Sequence, residues 1–302
     1  MKRIALAMLA AVTLTSCSLA EEELSSEPDF ESETTAAQTY VFTGLPDIPT
    51  LRTETETEPV TASAEPASEA ETEAPEEQPD EAAPIAQPSD APPEGVTCLE
   101  VPYISQDGAP AGCELVCASM LLGYYDFHIT ADELISEGYI DVARVDTYED
   151  DERGTVMFSG DPNKEFIGDP HTSYGYGCFS GAIRSCLRRY LDREMFDAVD
   201  ISGISLKDLC MEYIDWGEPV IVWASVDMEP LVASEANVWE IEDTDETVEW
   251  KSNEHCYLLV GYDEEHYCFH DPQRGAYTLY PRDVAEARYR EMGSQAVTIH
   301  PW

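Results

Sequence analysis

The C-terminal two thirds of the chain predict an α+β fold, in which helices come mainly first and antiparallel strands mainly last. The apolar run Cys113–Tyr125 has the length of a helix and opens this region. The β-branched run Pro219–Val226, preceded by Gly-Glu, predicts a buried strand. His255–Tyr262 and Tyr267–His270 are short apolar runs on either side of a polar turn, which predicts a β-hairpin.

The other elements follow from caps and turn residues. Thr130 and Glu133 form a capping box that starts a second, short helix. The remaining predicted elements are the strand Leu99–Ser105, the helix Cys178–Leu191 with a basic face, the helix Ser205–Trp216 capped by Ser205 and Asp208, a helix opened by Pro281, and the strand Gln295–His300.

Two long polar stretches interrupt this pattern. Asp141–Thr172 and Asp227–Asn253 have the length of substrate-side loops or lids, because long loops inside a compact domain are usually functional or disordered. Within the second stretch, Val238–Ile241 and Val248–Trp250 predict a small hairpin. The acidic run Glu149–Glu152 has calcium-binding residue types, but a solvated loop is the simpler interpretation.

The charge of the chain excludes one class of partner. The 302 residues carry 62 acidic and 16 basic side chains, a formal net charge of -46. A nucleic-acid binder needs a basic surface that displaces counterions, so no nucleic-acid partner is expected. All five Trp and all six His follow residue 96, whereas 11 of the 20 Pro precede residue 97. This uneven distribution of Trp, His and Pro predicts a folded domain over 97–302.

The first residues predict export. Met1–Arg3 and the apolar run Ile4–Val12 form a positive n-region and an h-region too short to span a bilayer stably, so 1–16 is expected to be a signal peptide. Leu14–Cys17 resembles the bacterial lipobox, which implies that Cys17 becomes the lipid-carrying N-terminus. A plain secretory signal with an incidental cysteine is the alternative. The chain is thus expected to be a cell-membrane lipoprotein that faces outside the cytoplasm.

Residues 17–96 predict a tether between the lipid and the domain. The stretch consists mainly of Glu, Thr, Ser, Ala and Pro, as in Thr53–Pro59, and holds 21 acids with one base. It has too few apolar side chains to offset the entropy of chain ordering, which predicts disorder. Repulsion between carboxylates and frequent proline favour extended conformations. The apolar island Tyr40–Leu45 is more simply a stray patch than a docking motif.

Four side chains offer the groups that a thiol hydrolase needs. These groups are a cysteine at a helix N-terminus, where the dipole favours the thiolate, an imidazole base, a group that orients the ring and a donor for the oxyanion. Cys113 opens the first predicted helix, and Gln106 lies seven positions before it at the end of a strand. His255 begins one strand of the hairpin, and Asp271, 16 residues later, ends the other.

The pairing of His255 with Asp271 sets a condition on the hairpin. A strict two-residue turn at Glu264 and Glu265 would place Asp271 opposite Leu258. The two side chains are therefore expected to meet only if the hairpin contains a bulge or a longer turn.

The residues around these four positions resemble papain-like cysteine peptidases. The segments that carry the resemblance are Val101–Gln106, Gly112–Glu114, His255–Asp263 and Asp271–Pro272. The branch they resemble most is the C39-like one, related to the bacteriocin-processing peptidases. The resemblance covers nearly all of 97–302, and the combination of segments is more specific than any one of them.

The resemblance implies a papain-like fold, in which an N-terminal helix that carries Cys packs on an antiparallel sheet that carries His and Asp. It implies Cys113 as nucleophile, His255 as general base, Asp271 as orienting acid and Gln106 as oxyanion donor. This chain departs from the transporter-fused members, because it has no membrane-spanning or ATPase segment and has Gly-Cys-Glu where they commonly have Asp-Cys-Gly. That departure leaves a double-glycine leader substrate, and the natural substrate in general, open.

The predicted function is a membrane-anchored extracytoplasmic cysteine peptidase that hydrolyses peptide bonds of a peptide or protein through a thioester acyl-enzyme. An amidase or acyl transferase would use the same Cys-His-Asp groups. A cell-wall endopeptidase of the NlpC type is less favoured, because its Asp-Cys-Ser type of nucleophile motif is absent. A different class is a non-catalytic surface module that keeps a papain-like shell and binds peptides.

Cys178 is the alternative nucleophile, because Gly175–Gly181 also places a cysteine at a predicted helix start. Cys117 and Cys256 are expected to belong to the core. Three further histidines have no partner that the sequence identifies: His128, His171 and His270.

Eight cysteines follow Cys17, and an exported protein in an oxidising medium would pair most of them. A thiol nucleophile must stay unpaired, which would leave an odd seven. Either one more thiol is free or the host habitat is reducing, and the second is the hypothesis we favour. No Cys-x-x-Cys spacing occurs, and neither a metal nor a cofactor is expected.

Overall fold

The computed structural model describes residues 88–302 of the chain. The predicted signal peptide, Cys17, the apolar island Tyr40–Leu45 and nearly all of the predicted tether lie outside the described residues. The first described residues lie along the domain, since the Ser89 amide donates to the carbonyl oxygen of Ala276 over 3.0 Å.

Within the described residues the chain forms helices and mainly antiparallel strands. The helices are α1 (Cys113–Tyr124), α2 (Ala131–Ser136), α3 (Ser180–Tyr190), α4 (Leu206–Glu212) and α5 (Arg282–Glu291). The strands are β1 (Thr97–Cys98), β2 (Val142–Ala143), β3 (Asp146–Asp150), β4 (Gly154–Ser159), β5 (Phe166–Ile167), β6 (Phe196–Asp200), β7 (Val220–Ser225), β8 (Ala233–Ile241), β9 (Thr247–Lys251), β10 (Glu254–Tyr262), β11 (His266–Asp271), β12 (Gly275–Pro281) and β13 (Ala296–Pro301). Two short 3-10 turns cover Ile214–Trp216 and Val226–Met228.

The main sheet is antiparallel and lies between two layers of helices. Its strand order is β12-β11-β10-β7-β13-β6, and β1 pairs with β10 beyond the part that pairs with β7. Cys256 and Leu258 of β10 pack with α1 and α3 on one face, whereas Tyr257 and Leu259 pack with α4 and α5 on the other. This alternation is the period of two that a strand buried on both faces shows. The predicted α+β fold is confirmed.

Helix α1 is buried on all sides. Every residue of Cys113–Leu122 is buried, so the helix is enclosed around its whole circumference rather than along one stripe. It begins at Cys113 as predicted, after the N-cap Gly112, which provides no side chain to cap the first turn. The backbone amides of the first helical turn, which begins at Cys113, therefore have no capping side chain from the N-cap residue.

Local sequence signals identified several elements correctly and one incorrectly. The capping box of Thr130 and Glu133 is present at α2, and the Ser205 hydroxyl accepts a hydrogen bond from the Asp208 amide at α4. The predicted strand Leu99–Ser105 is wrong, because pairing in this region is confined to β1 and one further bond from the Leu99 amide. Pro102 has no amide hydrogen with which to continue the ladder.

The hairpin of β10 and β11 contains the bulge that the pairing of His255 with Asp271 requires. Near the turn, Gly261 pairs with Cys268, but beyond the bulge Leu259 pairs with Phe269 and Leu258 with His270. One extra residue in β10 thus shifts the register by one position. The expectation of a bulge in this hairpin is confirmed.

The two long polar stretches are mostly paired, and the prediction of open loops or lids is wrong for these parts. They supply β3, β4, β8 and β9, which form a second sheet in that order. Phe158 of β4 pairs in parallel with Glu240 of β8, a contact between the two stretches, while the small hairpin of β8 and β9 is present as predicted. The ring of Phe179, the N-cap of α3, stacks on Trp250 with 5.0 Å between centroids and joins this sheet to the core.

The acidic run Glu149–Glu152 lies at the turn between β3 and β4. The Asp150 carboxylate accepts hydrogen bonds from the amides of Glu152 and Arg153 and lies 3.4 Å from the Arg153 guanidinium. The Asp150 carboxylate is thus satisfied by the turn itself. Across residues 88–302, no helix combines the length and the apolar composition that crossing a bilayer requires.

Gly261 is the residue at which β1 and the bulge meet. A Cβ at this position would overlap with the carbonyl oxygen of Thr97 and lie 2.7 Å from Cys98 Sγ. We expect Gly261→Ala to lower the free energy of unfolding by about 1–3 kcal/mol, because backbone atoms of β1 would have to move. Urea unfolding followed by far-UV circular dichroism measures this change. An unchanged midpoint would show that β1 does not need the glycine.

Candidate active site

Cys113 lies at the first position of α1 and is 5% exposed. Its Sγ donates a hydrogen bond to Glu114 Oε2 over 3.4 Å. The sequence predicts a helix start that favours the thiolate, but burial raises the pKa of the Cys113 thiol well above its usual value, and the carboxylates of Glu114 and Glu254 raise it further. The backbone amide of Cys256 opposes this by a hydrogen bond that lowers the pKa. A thiol whose pKa is raised in this way stays protonated at neutral pH.

His255 and Asp271 form a buried pair. His255 Nε2 lies 2.9 Å from Asp271 Oδ1, and both side chains are 1% exposed. Asp271 Oδ1 also accepts hydrogen bonds from the amides of Gln273 and Arg274, and Oδ2 accepts one from the hydroxyl of Tyr280 over 2.7 Å. The sequence predicts that His255 and Asp271 meet across the hairpin, and the structure brings them together.

The donors around Asp271 determine its charge. Burial by itself would raise the pKa of Asp271, but the hydrogen bond and charge of His255 and the hydroxyl of Tyr280 outweigh it and hold the pKa below the usual range. Asp271 is therefore a carboxylate at neutral pH and can fix the orientation of the imidazole.

The orientation of His255 leaves one ring nitrogen free. Because Nε2 bonds to Asp271, Nδ1 is the nitrogen available for proton transfer, and it is buried with no hydrogen-bond partner among residues 88–302. The ring packs edge-on against Tyr257, with 4.6 Å between centroids. Cys113 is not hydrogen-bonded to His255. Its Sγ instead lies within 4.8 Å of a carboxyl oxygen of Glu254 and accepts from the amide of Cys256, the two neighbours of His255.

Gln106 is buried beside the same part of the hairpin. Its backbone amide donates to the carbonyl oxygen of Pro272, the residue after Asp271, over 2.9 Å. Its side-chain Nε2 donates to the carbonyl oxygen of Pro110, two residues before the N-cap of α1, while Oε1 has no partner among the described residues. The segment thus connects the Asp271 turn to the start of α1.

Glu114 is a buried residue of the site that the sequence reasoning did not identify. Its Oε1 accepts a hydrogen bond from the amide of Cys178 over 2.8 Å, while Oε2 accepts the thiol of Cys113. Gly177 makes room for this contact, because a Cβ there would overlap with Glu114 Oε1. Burial raises the pKa of Glu114 to about 7, against the lowering effect of these hydrogen bonds.

Glu254 is the second carboxyl group that the sequence reasoning missed. One of its oxygens, one oxygen of Glu114 and Cys113 Sγ all lie within 4.8 Å of one another. Burial, followed by the charge of Glu114, raises the pKa of Glu254 well above its usual value. A thiolate and two carboxylates are ligands that zinc accepts, but such an ion would occupy the sulfur that a nucleophile needs.

Cys178 lies on the far side of Glu114 from Cys113. It is fully buried, its carbonyl oxygen accepts a hydrogen bond from the indole of Trp223, and burial raises the pKa of its thiol. Helix α3 begins at Ser180, two residues later, so Cys178 is not at the helix start that the sequence predicted. Cys178 is the alternative nucleophile because the sequence predicts it at a helix start, and the structure does not place it there.

The other cysteines belong to the core or its margin. Cys117 and Cys256 are fully buried, as expected, and Cys117 Sγ donates to the carbonyl oxygen of Cys256 over 3.5 Å. All eight cysteines between residues 88 and 302 carry free thiols in this structure.

Two of the remaining histidines have structural partners. His270 is buried between the carbonyl oxygen of Val101 and the amide of Tyr277, each within 3.2 Å of a ring nitrogen. His171 lies between Asp132 and Asp169, which raise its pKa. A cavity of about 250 Å³ borders His171 and reaches Gln106, Val116 and Ser119. This cavity lies beside the first turns of α1.

A central helix that begins with cysteine, packed on an antiparallel sheet with a buried His-Asp pair, defines the papain-like class of peptidase folds. The chain belongs to the Peptidase C39 like family, whose model matches residues 98–297. It is 27% identical over 205 residues to the uncharacterized protein YvpB of Bacillus subtilis (strain 168), covering 67% of this chain and 75% of that protein.

A solved structure gives the same result. The crystal structure of a proposed C39-like peptidase from Bacillus anthracis matches with a TM-score of 0.54 and 28% identity, covering 67% of this chain and 96% of that one. The predicted family and papain-like fold are therefore confirmed. The roles of the individual site residues stay predictions.

The buried carboxyl group of Glu114 generates a prediction about stability. A folded-state pKa near 7, above the value of about 4.3 for an unfolded glutamate, means that stability is complete at low pH and falls as the pH rises towards 7. Between pH 5 and pH 8, we expect the free energy of unfolding of the wild-type protein to fall by about 1–3 kcal/mol more than that of Glu114→Gln. Urea unfolding at several pH values measures it.

Glu218→Gln is the matched control for this experiment. Glu218 is also buried but bonds to His300 over 2.8 Å, away from Cys113. If Glu114→Gln and the wild-type protein showed parallel dependence of stability on pH, Glu114 would have an ordinary pKa and the prediction would be wrong.

Proposed function

We propose that the domain is a cysteine peptidase that hydrolyses peptide bonds through a thioester acyl-enzyme. The observation that carries the proposal is the buried hydrogen bond between His255 Nε2 and Asp271, which leaves Nδ1 free on the strand segment that Cys113 contacts. Family membership supports the same class of function.

In the proposed reaction, the Cys113 thiol passes its proton to His255 Nδ1, and the imidazolium is stabilised by ionised Asp271. The thiolate attacks the substrate carbonyl carbon to form the S–C bond. The C–N bond then breaks, and His255 returns the proton to the leaving amine. A water molecule, deprotonated by His255, hydrolyses the thioester and restores the thiol.

This reaction requires a movement of Cys113 Sγ. The thiol is hydrogen-bonded to Glu114 rather than to His255, and it packs with Cys256 on the sheet face opposite that of Tyr257 and the imidazole. Rotation about the Cα–Cβ bond of Cys113 would release Sγ from Glu114. Gln106, tied to Pro110 and Pro272, is proposed to donate to the oxyanion with the second hydrogen of its amide nitrogen.

One observation favours a second candidate function. Because Cys113 is a buried neutral thiol without an imidazole partner in this state, a peptide-binding module that keeps the papain-like shell without turnover is the alternative. An amidase or acyl transferase would use the same groups and would differ in the acceptor of the acyl group. These alternatives predict different results with electrophiles and peptides.

Substitution of His255 separates catalysis from binding. We expect an iodoacetamide-type or peptidyl electrophile to react fastest at Cys113, and His255→Ala to slow hydrolysis in a peptide library on the order of 10²-fold, because a general base contributes that much. Site-resolved mass spectrometry and product analysis measure both. His266→Ala is the control, because His266 pairs with Asp263 on the same hairpin at the turn. Cys113→Ala, which lacks the proposed nucleophile, gives the background rate of peptide hydrolysis.

Equal labelling of several cysteines, unaffected by His255→Ala and without peptide cleavage, would favour the binding module. Cleavage that needs an added amine instead of water would favour an acyl transferase.

We further propose that the domain stands outside the cytoplasm on a lipid attached at Cys17, with a peptide or protein as its partner and the acidic stretch 17–96 as a tether. The sequence Leu14–Cys17 after the short apolar run supports this location. We expect Cys17→Ala to move the protein from the membrane fraction to the soluble extracytoplasmic fraction. Membrane association that is unchanged by this substitution would contradict lipid anchoring.

A further inference from the structure

We propose that Glu114 and Glu254 form a carboxyl–carboxylate pair that controls the ionisation of Cys113. With a proton on one of its two carboxyl groups the pair tolerates a thiolate, whereas the doubly ionised pair holds Cys113 as a neutral thiol. The inference rests on the proposed function, in which Cys113 is the nucleophile. Glu114 contacts the reacting sulfur directly, through the hydrogen bond from Sγ to Oε2.

The geometry brings two acids to one sulfur without a compensating cation. One oxygen of each carboxyl group and Cys113 Sγ all lie within 4.8 Å of one another. In the described part of the chain, neither carboxyl group forms a salt bridge with Lys, Arg or His. Two like charges this close in a buried site cannot both ionise near neutral pH, so the pair keeps one proton.

Among residues 88–302, the side chains that surround the pair include three cysteines and no Lys or Arg that bonds to it. Helix α1 contributes the thiol of Cys117, the segment before α3 contributes Cys178, and β10 contributes Cys256. The amide of Cys178 is the one described donor that reaches Glu114 from another segment, and Glu254 Oε1 has no partner within residues 88–302. The proton of the pair therefore remains available to the sulfur.

The fold makes specific room for this arrangement. Gly177, at a φ of +138°, approaches Glu114 so closely that no other residue fits, and this approach aims the Cys178 amide at Oε1. Glu254 reaches the same point from the position directly before His255. The acids that flank the nucleophile and the base in sequence thus meet at the sulfur.

The consequence for the reaction follows from charge. When Cys113 ionises beside the pair, a pair with one proton can donate an O–H hydrogen bond to the thiolate. When the pair loses that proton, two negative charges face the sulfur and oppose thiolate formation. The pair would delay the rise of thiolate reactivity with pH, compared with a site that lacks one of the acids.

The test is the rate of alkylation of Cys113 by iodoacetamide between pH 5 and pH 10, followed by site-resolved mass spectrometry. We expect Glu114→Gln and Glu254→Gln each to lower the pH midpoint of alkylation by about one unit or more, because a neighbouring like charge shifts a pKa by that amount. Glu218→Gln, a buried glutamate that bonds to His300, should leave the midpoint unchanged.

An unmoved midpoint in both variants would overturn the proposal. Glu254→Gln keeps the test decisive if Glu114→Gln fails to fold, because Glu254 Oε1 has no described partner to lose. Alkylation needs no peptide turnover, so the two proposals fail separately. A shifted midpoint without peptide cleavage would support the role of the carboxyl pair and contradict the peptidase function. Peptide cleavage with an unmoved midpoint would support the peptidase function and contradict the role of the pair.

Discussion

The bulge between Leu259 and Gly261 is the constraint on which the site depends. In a strand, successive side chains point to opposite faces, so a shift of one residue moves every partner to the other face. Without the bulge Asp271 would lie opposite Leu258, on the face of the thiol. With it, Leu258 pairs with His270, and the next position brings Asp271 to the face that carries the His255 imidazole. One extra residue thus decides whether the imidazole has a carboxylate partner.

The surrounding strands keep this register in place. At Gly261, β1 on one side and Cys268 of β11 on the other approach a position without a side chain. At the other end, the hydroxyl of Tyr280 from β12 and two amides of the turn after β11 donate to Asp271. A carboxylate that accepts four hydrogen bonds can be buried, because its desolvation is offset by donors. The His-Asp pair is therefore held by three strands and a turn.

Sequence reasoning succeeded where the determining interaction is local. The start of α1 at Cys113, the capping box at Thr130 and the hairpin of β10 and β11 each follow from neighbouring residues. It failed where the determining interaction joins segments that are distant in the sequence. The parallel pairing of Phe158 with Glu240 joins residues 82 positions apart, and no local pattern identifies it. The contact of Glu114 with Glu254 is equally non-local, although each acid adjoins a predicted site residue, and that adjacency was the available signal.

Three carboxyl groups lie around the proposed nucleophile and base, and their hydrogen-bond donors distinguish them. Asp271 accepts from an imidazole, a hydroxyl and two amides, and its pKa is lowered despite burial. Glu114 accepts from one amide and a weak thiol donor, and burial raises its pKa to about 7, while that of Glu254 also rises. Environments that push apart the pKa values of nearby acids assign them different charges at one pH. The imidazole side therefore keeps its negative charge over the physiological range, whereas the charge beside the thiol varies with pH.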